Sequence, residues 1–325
     1  MKLIGGIPLV AVMRGDLIES VHDVAGCAVD ASGAAVLEFG TVDVPIYLRS
    51  SAKPFIAATA LLAGVAERFG LEQREIAVMA ASHEGEPFHI EAVRSILGKI
   101  GLPESALQCG PESPSAGEAI TNNCSGKHAG ILALCLAIGA DPATYMEPSN
   151  PAQERILRLC AQLSDERYED LSIGVDGCGI PVYATTLRHA ALSYRRLANL
   201  EGLPEDVAAA LRTVRDAMIA YPEYMSGTGV FDASVIRAFG GSLVCKGGAE
   251  GVFAAALLDE GVGLVIKVID GNERARPASA IEALGALGVM TPQRREELVR
   301  FERRPIKNKR GRLVGEIHAL PGALP

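Results

Sequence analysis

The chain has 325 residues, and 39 acidic against 31 basic side chains leave a formal net charge of −8 at pH 7. Hydrophobic residues make up 49% and charged residues 22%, a globular balance that excludes global disorder. The acidic excess argues against a nucleic-acid partner, which needs a basic face, and the longest apolar stretch, Ile131 to Ile138, falls far short of the ~20 residues of a membrane span.

Tryptophan is absent and glycine reaches 35, so Ala, Val, Leu and Ile must fill the core between many tight turns. The seven cysteines are odd in number and irregularly spaced, which points away from a disulfide framework and toward a reducing cytoplasm. Arg14 and Asp16 break the short N-terminal apolar run without a small-residue cleavage site, so no signal peptide is expected.

In chain order, residues 8–14 and 24–40 read as strands, with Ala31-Ser32-Gly33 as a hairpin turn. Residues 51–69 read as one apolar helix with Pro54 in its first turn, where proline is tolerated. Helices follow at 72–80 and 87–99, then a Gly/Pro/Ser/Asn-rich loop at 109–123 and a strongly apolar helix at 124–138. Another helix spans about 151–163, and a short strand at 171–177 runs into Gly177-Cys178-Gly179. Helices come near 186–198, 204–220 and 230–239. Apolar runs at 251–258 and 262–270, split by Asp259-Glu260-Gly261, read as a central hairpin. Helices at 277–288 and 292–301 and a strand at 312–318 complete the chain. Strands at both ends with helices between them indicate an α+β fold rather than alternating βαβ units. The expected architecture is an antiparallel sheet built from both chain ends and flanked by helices. No linker interrupts the chain, so one domain over 1–325 is expected, with a helical lobe over roughly 85–240.

Six segments could carry chemistry. In Arg49-Ser50-Ser51-Ala52-Lys53-Pro54, Ser50 and Lys53 are three apart at a helix start, ~5–6 Å apart on one face. Helix N-terminal amides there favour a developing oxyanion, and a lysine acts as base once burial or another cation lowers its pKa. The plain alternative is a capping serine with a solvated lysine. Ala80-Ala81-Ser82-His83-Glu84-Gly85-Glu86-Pro87 ends a small-residue run in a polar cluster, which lines a cleft or merely caps two helices. In Asn122-Asn123-Cys124-Ser125-Gly126-Lys127-His128, Cys124 and Lys127 share a helix face, and a thiol at a helix N-terminus has a lowered pKa.

In Asp176-Gly177-Cys178-Gly179-Ile180-Pro181, Cys178 sits on a glycine-flanked turn at a strand end. Cys124 and Cys178 could share a zinc, with His128 the more conventional neighbour, or be two buried thiols. The fifth segment is Leu243-Val244-Cys245-Lys246-Gly247-Gly248-Ala249-Glu250-Gly251. The sixth holds Lys267 inside Leu264-Val265-Ile266-Lys267-Val268-Ile269, on the face of Val265 and Ile269. A buried lysine is costly unless partnered or neutral; an edge-strand lysine would snorkel to water instead. Cys27, Cys109, Cys135 and Cys160 have no partner at useful spacing. No Walker motif, H-E-x-x-H, EF-hand loop or G-x-S-x-G is present.

Taken together and in this order, the six segments resemble the asparaginase II family, L-asparaginases related in fold to serine β-lactamases and glutaminases. The resemblance runs from about residue 8 to 318. It implies a serine β-lactamase/glutaminase-like fold and hydrolysis of L-asparagine to L-aspartate and ammonia. It also implies two Ser-Lys pairs, Ser50 with Lys53 and Ser82 with Lys267, and a zinc held by Cys124, Lys127 and Cys178. The zinc is implied to assist substrate binding, and the assembly is implied to be a homodimer. Arg49 and Asp176 are by position the candidates for the charged groups of the substrate. Three other readings stay open. A glutaminase differs by one substrate methylene, worth ~1–3 kcal/mol. A penicillin-recognising acyl hydrolase shares S-x-x-K, and Lys246-Gly247-Gly248 echoes K-T-G, but no S-D-N triplet occurs. A non-catalytic zinc-binding protein would keep Cys124 and Cys178 and turn nothing over.

Overall fold

A computed structural model describes residues 4–111 and 117–324; residues 112–116 of the expected 109–123 loop lie outside the described residues. Strands β1 (Ile7–Arg14) and β2 (Leu17–Val29) form an antiparallel hairpin, and β3 (Ala35–Phe39) folds back onto the end of β2. After β4 (Ile46–Tyr47) comes a 3-10 turn over Arg49–Ala52 and then α1 (Lys53–Leu62), with Pro54 in its first turn. The single helix expected over 51–69 is thus divided. Gly64 takes a left-handed φ of +73°, which ends α1 and starts α2 (Val65–Phe69).

Helices α3 (Gln73–Met79) and α4 (Pro87–Ile100) each begin with a capping box, Glu72 with Glu75 and Glu86 with His89. Helix α5 (Ser125–Ile138) is buried without a break from Ser125 to Cys135, apolar on every side after its first turn. Then follow α6 (Pro151–Ser164), β5 (Ser172–Val175), β6 (Pro181–Thr185), α7 (Leu187–Ala198), α8 (Glu205–Ala220), α9 (Pro222–Met225) and α10 (Phe231–Phe239). Three fully antiparallel strands follow: β7 (Leu243–Gly248), β8 (Val252–Leu257) and β9 (Val262–Val268). The chain closes with α11 (Arg276–Ala286), α12 (Pro292–Glu302), β10 (Arg303–Lys307) and β11 (Leu313–Ala319).

The main sheet runs β10-β11-β1-β2-β9-β8-β7, with β3 also joined to β2, and every pair is antiparallel. The fold is therefore α+β, with a sheet drawn from both chain ends. Alternation along β2 splits its side chains between two cores. Ala25, Cys27 and Val29 join a core with Phe55 of α1 and Tyr194 of α7, while Val24 and Ala28 join one with Val235 of α10 and Ile281 of α11. A smaller sheet, β4-β6-β5, carries the turn that delivers Asp176 and Cys178. All seven cysteines are free and buried, and no helix among the described residues is long and apolar enough to cross a membrane.

Candidate active site

The site is organised by the 3-10 turn between β4 and α1. Arg49 opens it at a φ of +52°, a left-handed conformation that a non-glycine residue adopts at a cost of ~1–2 kcal/mol. Its Nε lies 2.7 Å from Oδ1 of Asp176, on the turn after β5. Burial pushes the Asp176 carboxyl up, but the charges of Lys127 and Arg49 outweigh it and hold the group below the usual carboxylate range. Ser50 follows and lines a cavity of about 240 Å³ with Arg49, Asn122, Cys124, Asp176 and Cys178. Ser51 turns inward: its hydroxyl donates to the Lys246 carbonyl at 2.9 Å and its own carbonyl accepts from the Tyr194 hydroxyl at 2.6 Å. Ser51 therefore braces the turn and Ser50 faces the cavity. The turn sits so close to β7 that a Cβ on Gly248 would lie 2.6 Å from the Leu48 carbonyl oxygen.

Lys53, 1% exposed, points across the core from α1. Its Nζ donates to the Ala81 carbonyl at 2.5 Å and to Ser82 Oγ at 2.9 Å. Burial pushes this amine down, with Lys127 adding to the effect and Cys124 opposing it. Ser82 caps no helix, because Glu86 takes that role for α4. Its segment is pinned on both sides, by Ser82 N–H to the Met225 carbonyl and His83 N–H to the Asn123 carbonyl.

The structure does not bring Lys267 to Ser82. Its Nζ donates to the carbonyls of Glu250 and Val268, and the charges around it are Glu250, Asp270 and Glu273. Burial does push its amine down, but the pairing expected with Ser82 is replaced by Lys53 with Ser82. Strand register is the reason. Lys267 on β9 pairs with Val252 of β8, which pairs with Gly248 of β7, so two interstrand steps, roughly 10 Å, separate it from the strand beside the serine turn. That strand carries a different lysine, Lys246, 1% exposed. Burial pushes its amine down to about 8, helped by Lys53 and Arg276 and opposed by Asp232 at 3.7 Å. Sequence reasoning had singled out the segment of Lys246 without giving this residue a role. The signal available was Lys246-Gly247-Gly248, two glycines that let a strand approach other groups closely.

On the opposite cavity wall, Lys127 Nζ donates to Cys178 Sγ at 2.8 Å, and the thiols of Cys124 and Cys178 are hydrogen-bonded to one another. That bond, with the Lys127 and Lys53 charges, pulls Cys124 well down, while the same bond and burial push Cys178 up against the opposing charge of Lys127. Burial disfavours the charged Lys127 amine, yet the neighbouring thiols and Asp176 hold it protonated. His128 turns away to the Tyr145 hydroxyl at 2.7 Å. Among the described residues no three His, Cys, Asp or Glu side chains gather as a metal site; this group offers two thiols and an amine. As donors they fit zinc, since one thiol has its pKa pulled well down, provided that Lys127 gives up its proton.

A buried lysine bonded to a serine beside a small polar cavity is the pairing of hydroxyl and base that nucleophilic catalysis uses. The L-asparaginase II family matches residues 10–319, and the chain belongs to that family. Among curated proteins nothing matches it. Of the solved structures, Mglu in its native form in 4.3 M NaCl is similar at 17% identity over 83% of this chain, with a TM-score of 0.48. The chain covers 62% of the Mglu chain's length. A β-lactamase, Mb2281c, from Mycobacterium bovis is similar at 14% identity over 82% of this chain and 95% of its own, with a TM-score of 0.45. A third structure, described as a putative β-lactamase from Bacteroides dorei, is similar at 14% over 75% and 84%, with a TM-score of 0.42. At these scores the α+β assignment rests on the strands and helices themselves.

Proposed function

We propose that the protein hydrolyses the side-chain amide of L-asparagine to L-aspartate and ammonia by Ser-Lys chemistry. The observation that carries this reading is the 2.9 Å bond from buried Lys53 to Ser82, behind a cavity lined by Ser50 and by the opposite charges of Arg49 and Asp176. The cavity, about 240 Å³, is smaller than the ~300–1,000 Å³ typical of drug-sized ligands and suits a small polar amino acid.

Ser50 attacks the side-chain carbonyl carbon, and its hydroxyl proton passes to neutral Lys53. A backbone amide near Ser50 meets the oxyanion, a donor worth ~2.7–4 kcal/mol in such sites. Lys53 returns the proton through Ser82 to the leaving nitrogen, the C–N bond breaks and ammonia departs. Water then attacks the Ser50 ester and gives its proton to Lys53, and L-aspartate leaves as Ser50 is reprotonated. Lys246, rather than Lys267, is the second lysine of the pocket: a cation that keeps the Lys53 amine neutral, since like charges disfavour the charged form. Arg49 and Asp176 face the α-carboxylate and α-ammonium of the substrate.

Cys124, Lys127 and Cys178 would hold a zinc ion, which would supply a fixed positive charge beside Asp176 for substrate docking. We also read the protein as a cytoplasmic homodimer. The free cysteines support the compartment, and the family resemblance supports the dimer, which analytical ultracentrifugation tests directly. The deciding experiment for the activity measures ammonia release from L-asparagine and L-glutamine beside nitrocefin hydrolysis, for the wild type and Ser50→Ala. Asparagine turnover that Ser50→Ala lowers by several orders of magnitude is the expected result. Faster release from glutamine would move the substrate by one methylene, and turnover of nitrocefin alone would overturn the assignment.

A further inference from the structure

The geometry points to Asp232 as a positioning residue for this reaction: clamped by Arg276 and by the Gly247 amide, its carboxylate fixes the place and the charge of Lys246. The inference rests on the reading of Lys246 as the second lysine of the site.

Asp232 stands in the first turn of α10, 3% exposed. Its Oδ2 accepts the Gly247 N–H at 2.7 Å and lies 3.7 Å from Lys246 Nζ, while Oδ1 accepts from Arg276 Nη1 at 3.1 Å. Arg276 in turn donates from Nε to Glu273 at 2.8 Å, and the other oxygen of Glu273 accepts the Gly251 N–H at 2.9 Å. One chain of charges thus grips strand β7 at Gly247 and the turn that follows it at Gly251. The backbone is trimmed for it: a Cβ on Gly247 would lie 1.7 Å from Arg276 Nη1.

Stability alone is a poor reason for such an arrangement, because a buried ion pair is often matched or bettered by apolar residues of similar volume. What an apolar replacement could not do is set the charge of a lysine next door. The charged and titratable groups facing Lys246 are Asp232 from α10, Arg276 from α11, Lys53 from α1 and Cys124 at the start of α5. Asp232 favours the protonated amine; Lys53 and Arg276 favour the neutral one. The clamp therefore contains both an anion and a cation whose removal must act on Lys246 in opposite directions.

The test is the pH profile of kcat/KM for asparagine in Asp232→Asn and Arg276→Gln, with Lys246→Met beside them. Asp232→Asn keeps the shape and an acceptor for the Gly247 amide but loses the charge, so the alkaline limb, where Lys246 gives up the proton its role requires, should move to lower pH by about one unit. Arg276→Gln should move it to higher pH by a similar amount. A purely structural role would lower the rate or the melting temperature in both variants and leave the limb where it was. An unmoved limb, or two shifts of the same sign, overturns the proposal. If Asp232→Asn does not fold, the sign of the Arg276→Gln shift decides alone. Lys246→Met separates the two levels: severe loss with an unmoved limb in the clamp variants sinks the clamp only, whereas near-normal turnover in Lys246→Met sinks the reading of Lys246 and the clamp with it.

Discussion

Arg49 and Asp176 stand 127 positions apart in the chain and meet at 2.7 Å at the cavity wall, one from the serine turn and one from the turn after β5. The contact joins the two turns that carry Ser50 and Cys178. It also holds Arg49 in a backbone conformation that it would not choose alone.

Replacing Arg49 separates these two effects. Arg49→Ala and Arg49→Gly both lose the ion pair, and both should raise KM for the amino-acid substrate. Only alanine keeps the penalty of a φ of +52°. Arg49→Gly should therefore be more stable than Arg49→Ala by about 1 kcal/mol in urea titrations. Equal stabilities would mean that the turn relaxes once the arginine is gone.

Lys246 should leave a mark on stability as well as on activity. Its amine is pushed from 10.5 down to about 8 in the folded protein. Between these values the unfolded chain binds more protons than the native state, so stability rises with pH across that window. Below pH 8 both states are protonated and the cost of burying the charge is fully present. Lys246→Met removes the titration, so the difference in unfolding free energy between variant and wild type should shrink in the variant's disfavour as pH climbs from about 8 to 10.5. Parallel stability curves over that range would contradict the assignment.

Three glycine-to-alanine changes should rank by what the new methyl meets. At Gly126 it would lie 2.2 Å from the Val78 carbonyl oxygen, and at Gly248 2.6 Å from that of Leu48, both backbone. At Gly130 its near neighbours are side-chain atoms of Met79, which can move aside. Gly126→Ala and Gly248→Ala should each cost about 1–3 kcal/mol or more, Gly130→Ala clearly less. Thermal melts would expose a different order.

Metal binding gives a fourth check. Cys124→Ala and Cys178→Ala should both lose zinc by elemental analysis, while Cys135→Ala, altered at a buried thiol elsewhere on α5, should keep it. Stoichiometric zinc in either of the first two would end the assignment. Because the ligands must lose protons, zinc affinity should weaken as pH falls. Stripping the metal should raise KM more than it lowers kcat.

Much of the scaffold was legible because it rests on local pattern. Strands β1 and β11 follow from residues 8–14 and 312–318, and β8 and β9 from apolar runs parted by Asp259-Glu260-Gly261. Proline in the first turn marked α1 in the same way. What escaped depends on partners far along the chain. Lys246 and Lys267 both lie in buried strands with apolar neighbours, and only the register of β7 and β9 tells which adjoins the serine turn. Strands β4 and β6 are short and start beside turns, so neither shows a period of its own. Local spacing placed Lys53 one turn from Ser50, yet its side chain crosses to Ser82, held in range by Met225 and Asn123. The inward phase of Ser51 follows from a 3-10 turn where an ordinary helix start had been expected.

The pairing of β1 with β11 sets Val10 opposite Ala319, more than three hundred residues later. During synthesis at ~5–20 residues per second, β1 therefore waits roughly 15–60 s for the strand that covers its outer edge. For that interval an unpaired row of amides and carbonyls faces a crowded cell, the condition under which strands recruit the wrong neighbour. A nascent chain of this protein is thus most exposed to misassembly along β1, until β11 closes over it.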